Sequence, residues 1–195
     1  MLTRFRKIFT LLFRPLASAL ASIGVSPNTI TLSSLIFGFL ALYSIYQYKS
    51  IILYIVFIGL MGLMDALDGA VARLTGKTSK FGAFLDSTTD RINDAFLIYS
   101  FKYLRFQDEL VVSLMIVSFL ISYTRSRGES LGVKMEGVGL IERAERILML
   151  IIAAVAYKFS FLLSLIIVYT LLILSLVTLI QRIIHVYKEL GEAEG

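Results

Sequence analysis

Four aspartates, Asp65, Asp68, Asp86 and Asp90, stand between Met64 and Asp90 with Gly69, Arg73 and Gly82 among them, in a chain otherwise suited to hydrocarbon. On helices, Asp65 and Asp68 lie about 60° apart on one face, and Asp86 and Asp90 about 40° apart on theirs. Two adjacent helices therefore present two oxygen pairs to one cleft. A charge in hydrocarbon costs from about 2.5 kcal/mol upward, so four carboxylates call for a neutralising cation. The chain has no cysteine and a single histidine, which leaves oxygen-only ligation and selects hard cations, Mg²⁺ or Mn²⁺. Two such ions can share four carboxylates, bridge a diphosphate and stabilise a displacement at phosphorus. Gly69 and Gly82 remove side chains where a diphosphate would approach the backbone, and Arg73, one turn beyond Gly69, can fork onto phosphate oxygens.

Membrane-spanning helices have to position these groups. Of the 195 residues 57% are hydrophobic and 17% are charged, with a mean hydropathy of +0.83. Such a chain is an integral membrane protein, and its length holds about six spans of roughly 20 residues with nothing left for a soluble domain. The expected architecture is all-α, a single domain over 1–195. Its six transmembrane helices fall near 29–48, 51–74, 82–105, 109–131, 139–158 and 160–187, a bundle over 29–187. The clean apolar run from Ile51 to Met64 is too short to span alone, so its helix must continue through the aspartate motif.

Ahead of the bundle, residues 1–25 read as an amphipathic helix lying on the membrane surface. Phe5, Phe9, Leu12, Phe13, Leu16 and Leu20 share one face, while Arg4, Lys7, Arg14 and Ser18 lie opposite. Arg14 and Pro15 interrupt the apolar region that a secretory signal would need. Ser26-Pro27-Asn28 reads as a turn into the first span. Lys49, Lys102, Arg105 and Lys158 fall on one side of the membrane and the rest of the 19 Lys and Arg on the other, which should be cytoplasmic and carries the aspartate motif. The lone His185 reads as structural, and Asp94 suits a packing role as well as a catalytic one. Gly137-Val138-Gly139 lacks the third glycine and the strand context of a dinucleotide loop.

The pattern D-x-x-D-G-x-x-A-R, eight residues, then G-x-x-x-D-x-x-x-D resembles the signature of the CDP-alcohol phosphatidyltransferase family, with every fixed position filled. The resemblance implies a reaction in which an alcohol attacks the lipid-side phosphorus of a CDP-lipid and displaces CMP. It also implies a two-ion metal site and a homodimer. Carried over by position, Asp65, Asp68, Asp86 and Asp90 hold metal, with Asp90 also the general base near the acceptor hydroxyl. Pro27, Asn28, Thr31, Gly69, Arg73, Ser79 and Gly82 contact the cytidine diphosphate portion.

Tyr123 to Arg127, Gly139 to Arg146 and Gln181-Arg182 resemble the phosphatidylinositol-phosphate and archaetidylinositol-phosphate synthase branch, which takes inositol phosphate. That branch implies that Arg125, Arg146 and Arg182 gather around the acceptor phosphate. The chemistry agrees, because a dianionic acceptor needs several cations to sit near an anionic CDP-lipid. An alternative acceptor is glycerol 3-phosphate. A different class, a divalent-cation transport protein, would also bury carboxylates but would not need the paired glycines and Arg73. The expected partners are CDP-diacylglycerol or CDP-archaeol, inositol 1-phosphate, membrane lipids and a second copy of the chain; no nucleic-acid partner is indicated.

Overall fold

The computed structural model describes residues 13–193, and all regular structure among them is helical. Helix α1 covers 13–22. It is followed by α2 (Pro27–Tyr48), α3 (Ile51–Thr75), α4 (Lys80–Tyr99), a 3-10 turn (Ser100–Leu104), α5 (Asp108–Ser130), α6 (Arg143–Tyr157) and α7 (Phe161–Ala193). Local chemistry sets the ends. The Ser26 hydroxyl accepts from the Thr29 N–H with Pro27 in the first turn of α2, and Ser50 caps α3 through the Leu53 N–H. Gly76, at φ +67°, closes α3 in the left-handed conformation that glycine adopts without strain.

Helices α2, α3, α5 and α7 are long and apolar enough to cross a membrane, which makes the chain a multi-pass membrane protein. The sequence reading expects six spans, and four helices meet the requirement among the described residues. Helix α4 falls short in composition, since it carries Asp86, Asp90, Arg91 and Asp94. Helix α6 falls short in length: 15 residues rise about 23 Å, less than the ~30 Å hydrocarbon core. Its start slips from the expected 139 to 143 because Gly139 is at φ +115° and Glu142 is extended, forming a reciprocal capping box with Glu145.

The chain divides into two compact units, one ending at Phe96 and the other beginning at Leu97. In the first, α2 packs along α3. Ala17 of α1, wholly buried, meets Ile30 of α2 and Leu67, Ala70 and Val71 of α3, with Phe13, Leu20 and Ala21 closing around them. Helix α1 therefore braces the stretch of α3 that carries the aspartates. The apolar face read from sequence is divided. Phe13 and Leu20 pack inward around the small Ala17, whereas Leu16 and Ile23, seven residues apart, are 43% and 74% exposed and form an apolar outer edge. Phe5, Phe9 and Leu12, with Arg4 and Lys7, lie outside the described residues.

In the second unit α5 and α6 each pack on α7. The Ser164 hydroxyl at the start of α7 donates to the Ala153 carbonyl of α6 at 2.7 Å. The connection between α5 and α6 is tied to α7 by three side chains one turn apart. Thr178 Oγ1 accepts from the Ile141 N–H at 3.1 Å, Arg182 Nε donates to the Val138 carbonyl at 3.0 Å, and His185 Nε2 lies 2.9 Å from the Lys134 carbonyl. The structural reading of His185 agrees with this contact.

Gly139 is the critical joint of that connection. A side chain there would both strain the backbone and press on Thr178, whose Cγ2 lies 2.5 Å from where a Cβ would sit. The substitution Gly139→Ala is expected to lower stability by about 1–3 kcal/mol, read as a reduced midpoint in a thermal unfolding scan of detergent-purified protein. An unchanged midpoint would mean that the connection is not held as described.

Candidate active site

Oxygen atoms of Asp65 on α3 and of Asp86 and Asp90 on α4 lie within 4.8 Å of one another. Oxygens bound octahedrally at about 2.1 Å are separated by roughly 3 Å when adjacent and 4.2 Å when opposite, so a small contraction would close the group around a hard cation. The donor set fits as well, being carboxylate only. Like charges at this spacing repel, and a divalent ion converts that repulsion into ligation.

Asp68 stands outside this group of three. It is 7% exposed, and its Oδ2 accepts from the Thr31 hydroxyl of α2 at 2.5 Å. Asp68 and Asp86 both line a cleft with Pro27, Asn28, Thr31, Gly69, Ser79 and Gly82. Six of the seven residues read from sequence as cytidine-diphosphate contacts thus share one concavity. The seventh, Arg73, is exposed and lies over Gly69, its Nη1 only 3.2 Å from where a Cβ on that glycine would stand. A side chain at residue 69 would push the guanidinium away from the cleft.

Helix starts build the opposite wall. The Ser79 hydroxyl accepts from the Gly82 N–H at 2.9 Å, an N-cap for α4. A Cβ on Gly82 would press on Ser79 Oγ at 3.2 Å and Asn28 Oδ1 at 3.4 Å, so glycine lets the beginnings of α2 and α4 approach. Thr78 lines the cleft beside Ser79. Lys77 also lines it and was not identified from the sequence; the signal was present, because a lysine directly after the left-handed Gly76 is turned off the end of α3. Asp90 has Arg91 Nη1 at 3.7 Å, and that guanidinium is anchored by donating to the Ser87 carbonyl at 2.6 Å.

The three arginines belong to the second unit. Arg125 of α5 and Arg146 in the first turn of α6 both act electrostatically on Arg182 of α7, as do Glu142 and Glu129. Arg146 is 5% exposed and Arg182 4%. Arg182 donates to the Val138 and Ile121 carbonyls, at 3.0 and 2.7 Å, so part of its work is to hold the α5–α6 connection. Arg125 pairs with Glu129 at 2.9 Å along its own helix. Guanidiniums outnumber carboxylates in this cluster, which suits an anion.

The sequence profile of the CDP-alcohol phosphatidyltransferase family matches residues 24–188, and the chain belongs to that family. It is 36% identical over 180 residues to the archaetidylinositol phosphate synthase of Pyrococcus horikoshii, covering 90% of each chain. It is also 36% identical over 209 residues to the phosphatidylinositol phosphate synthase of Streptomyces avermitilis, covering 97% of this chain and 84% of that protein. Among solved structures, the Mycobacterium tuberculosis phosphatidylinositol phosphate synthase with CDP-DAG bound superposes with a TM-score of 0.79 at 27% identity, over 93% of this chain and 94% of that one. A second crystal structure of the same enzyme, in complex with manganese and citrate, gives a TM-score of 0.78 at 28% identity, over 89% of this chain and 88% of that one.

If the cleft receives the nucleotide, Gly82→Val should fold but bind CDP at least about tenfold more weakly, the loss of about 1.4 kcal/mol or more. Equilibrium titration of the detergent-purified protein with CDP in the presence of Mg²⁺ reads this out. Wild-type affinity in the valine variant would place the nucleotide elsewhere.

Proposed function

We propose that this protein is a metal-dependent membrane transferase that moves the lipid-phosphate group of a CDP-lipid, CDP-diacylglycerol or CDP-archaeol, onto inositol 1-phosphate and releases CMP. The observation that carries this reading is the convergence of Asp65, Asp86 and Asp90 beside a cleft walled by Thr31, Asp68, Gly69 and Gly82. In the reaction the acceptor hydroxyl oxygen bonds to the lipid-side phosphorus, the phosphorus–oxygen bond to CMP breaks, and the hydroxyl proton passes to Asp90. A bound divalent cation, Mg²⁺ or Mn²⁺ and as a pair, would supply charge neutralisation for the diphosphate and for the leaving CMP. Asp65, Asp68, Asp86 and Asp90 hold it. The Pro27–Thr31 helix start, Gly69, Arg73, Ser79 and Gly82 receive the cytidine diphosphate. Asp90 can serve as base only if metal ligates it loosely, because strong coordination lowers basicity.

Arg125, Arg146 and Arg182 bind the acceptor's phosphate on this reading. It is supported by their mutual electrostatic proximity in the second unit and by similarity to synthases of inositol phosphate lipids. Glycerol 3-phosphate would use the same cations. Six segments cross the membrane, α1 lies on its surface, and the excess of Lys and Arg places the cleft on the cytoplasmic side, where nucleotides are. The protein works as a homodimer.

CMP release by purified protein with CDP-lipid and Mg²⁺ tests the reading, with inositol 1-phosphate, free inositol, glycerol 3-phosphate and serine run in parallel. Release with inositol 1-phosphate alone is expected. Preference for glycerol 3-phosphate would change the acceptor, and ion flux without CMP release would favour a transporter. Asp90→Asn should cut kcat by about 10²–10⁴ while CDP-lipid still binds. Arg146→Ala should chiefly raise KM for the phosphorylated acceptor, and equal loss with every acceptor would remove that role.

A further inference from the structure

We infer that Asn93 and Ser34 are positioning residues for the metal site, acting on Asp68 through Thr31; this rests on the metal reading above. Asn93 lies on α4, three residues past Asp90, and is 1% exposed. Its Nδ2 donates to Ser34 Oγ of α2 at 3.0 Å. The Ser34 hydroxyl donates to the Thr31 carbonyl at 2.7 Å, and the Thr31 hydroxyl donates to Asp68 Oδ2 at 2.5 Å. Buried groups of α4, α2 and α3 are thereby connected, through Ser34 and the Thr31 residue, to a carboxylate of the site. In a medium of low polarity each such bond is strong, and the link between the last two passes through the main chain of Thr31.

Packing alone does not account for Asn93. Its Oδ1 is buried with no hydrogen-bond partner, a cost that an apolar side chain of similar shape would avoid. The amide also needs room, and α2 supplies it with Gly38, where a Cβ would collide with Asn93 Oδ1. The glycine admits the amide, the amide fixes Ser34, and Ser34 fixes the turn of α2 from which Thr31 reaches Asp68. Polar groups that orient metal ligands from behind typically change metal affinity by about 10–100-fold when removed. Ser44 provides a contrast on the same helix: it is equally buried and its hydroxyl likewise donates to the carbonyl three residues back, that of Ala41, but the Asn93 amide donates to Ser34 and not to Ser44.

The test is Mn²⁺ titration of the full-length protein in detergent, without substrate, with free Mn²⁺ followed by electron paramagnetic resonance. Wild type is compared with Asn93→Leu, Ser34→Ala and Ser44→Ala. Asn93→Leu and Ser34→Ala are each expected to bind Mn²⁺ about tenfold or more weakly, with Ser44→Ala unchanged. Wild-type affinity in Ser34→Ala and Asn93→Leu would overturn the relay, as would an equal loss in Ser44→Ala. Should Asn93→Leu fail to fold, Ser34→Ala against Ser44→Ala decides. A wild-type protein that binds no Mn²⁺ would overturn the metal reading and the relay together, an outcome distinct from binding that the variants leave untouched.

Discussion

Carboxylates brought close together repel one another, burial strips hydration from Asp68, and the rest of the first unit is arranged around that cost. Asp65, Asp86 and Asp90 converge, whereas Asp68 is separately buried and bonded to Thr31. Arg91 Nη1 stands 3.7 Å from Asp90 Oδ2. On the proposed reading, a hard divalent cation would resolve the electrostatics, and the same charge would then be available to a diphosphate. On that reading, the arrangement that is costly without metal would make phosphorus chemistry feasible with it.

Supporting parts follow from the same demand. The start of α2 is capped by Ser26 and set by Pro27, which fixes Asn28 and Thr31 at one wall of the cleft. Ser79 caps α4 so that Gly82 and Asp86 face the same space. Helix α1 packs through Ala17 on the aspartate-bearing stretch of α3. In the second unit, Thr178, Arg182 and His185 hold the connection ahead of α6, whose first turn carries Arg146. Arg182 is thus committed in part to backbone carbonyls. If it also binds an anion, it does so as a guanidinium already oriented, which reduces the entropy lost on binding.

Much of the site was legible in the sequence because it depends on spacing within helices. The i,i+3 and i,i+4 separations of the aspartates, the paired glycines and Pro27 all translate directly into faces and close approaches. The helix order was legible too, since apolar runs and their punctuation mark each element. What escaped the sequence depends on contacts between distant segments. The start of α6 turns on Gly139 meeting Thr178, and the inward edge of α1 turns on a small alanine rather than on its larger apolar neighbours. Lys77 in the cleft and the bond from Asn93 to Ser34 are likewise products of packing. Among the described residues hydropathy alone marks four helices as spans, because α4 carries Asp86, Asp90, Arg91 and Asp94 and α6 is short.

The most direct test of the central claim, that these aspartates form a hard-cation site, is crystallography of the protein grown with Mn²⁺, using anomalous scattering at the manganese edge. The account predicts two anomalous peaks about 3.5–4 Å apart, within bonding distance of carboxylate oxygens from Asp65, Asp68, Asp86 and Asp90. A fully occupied Mn²⁺ elsewhere, or no peak among these four residues at saturating Mn²⁺, would contradict it.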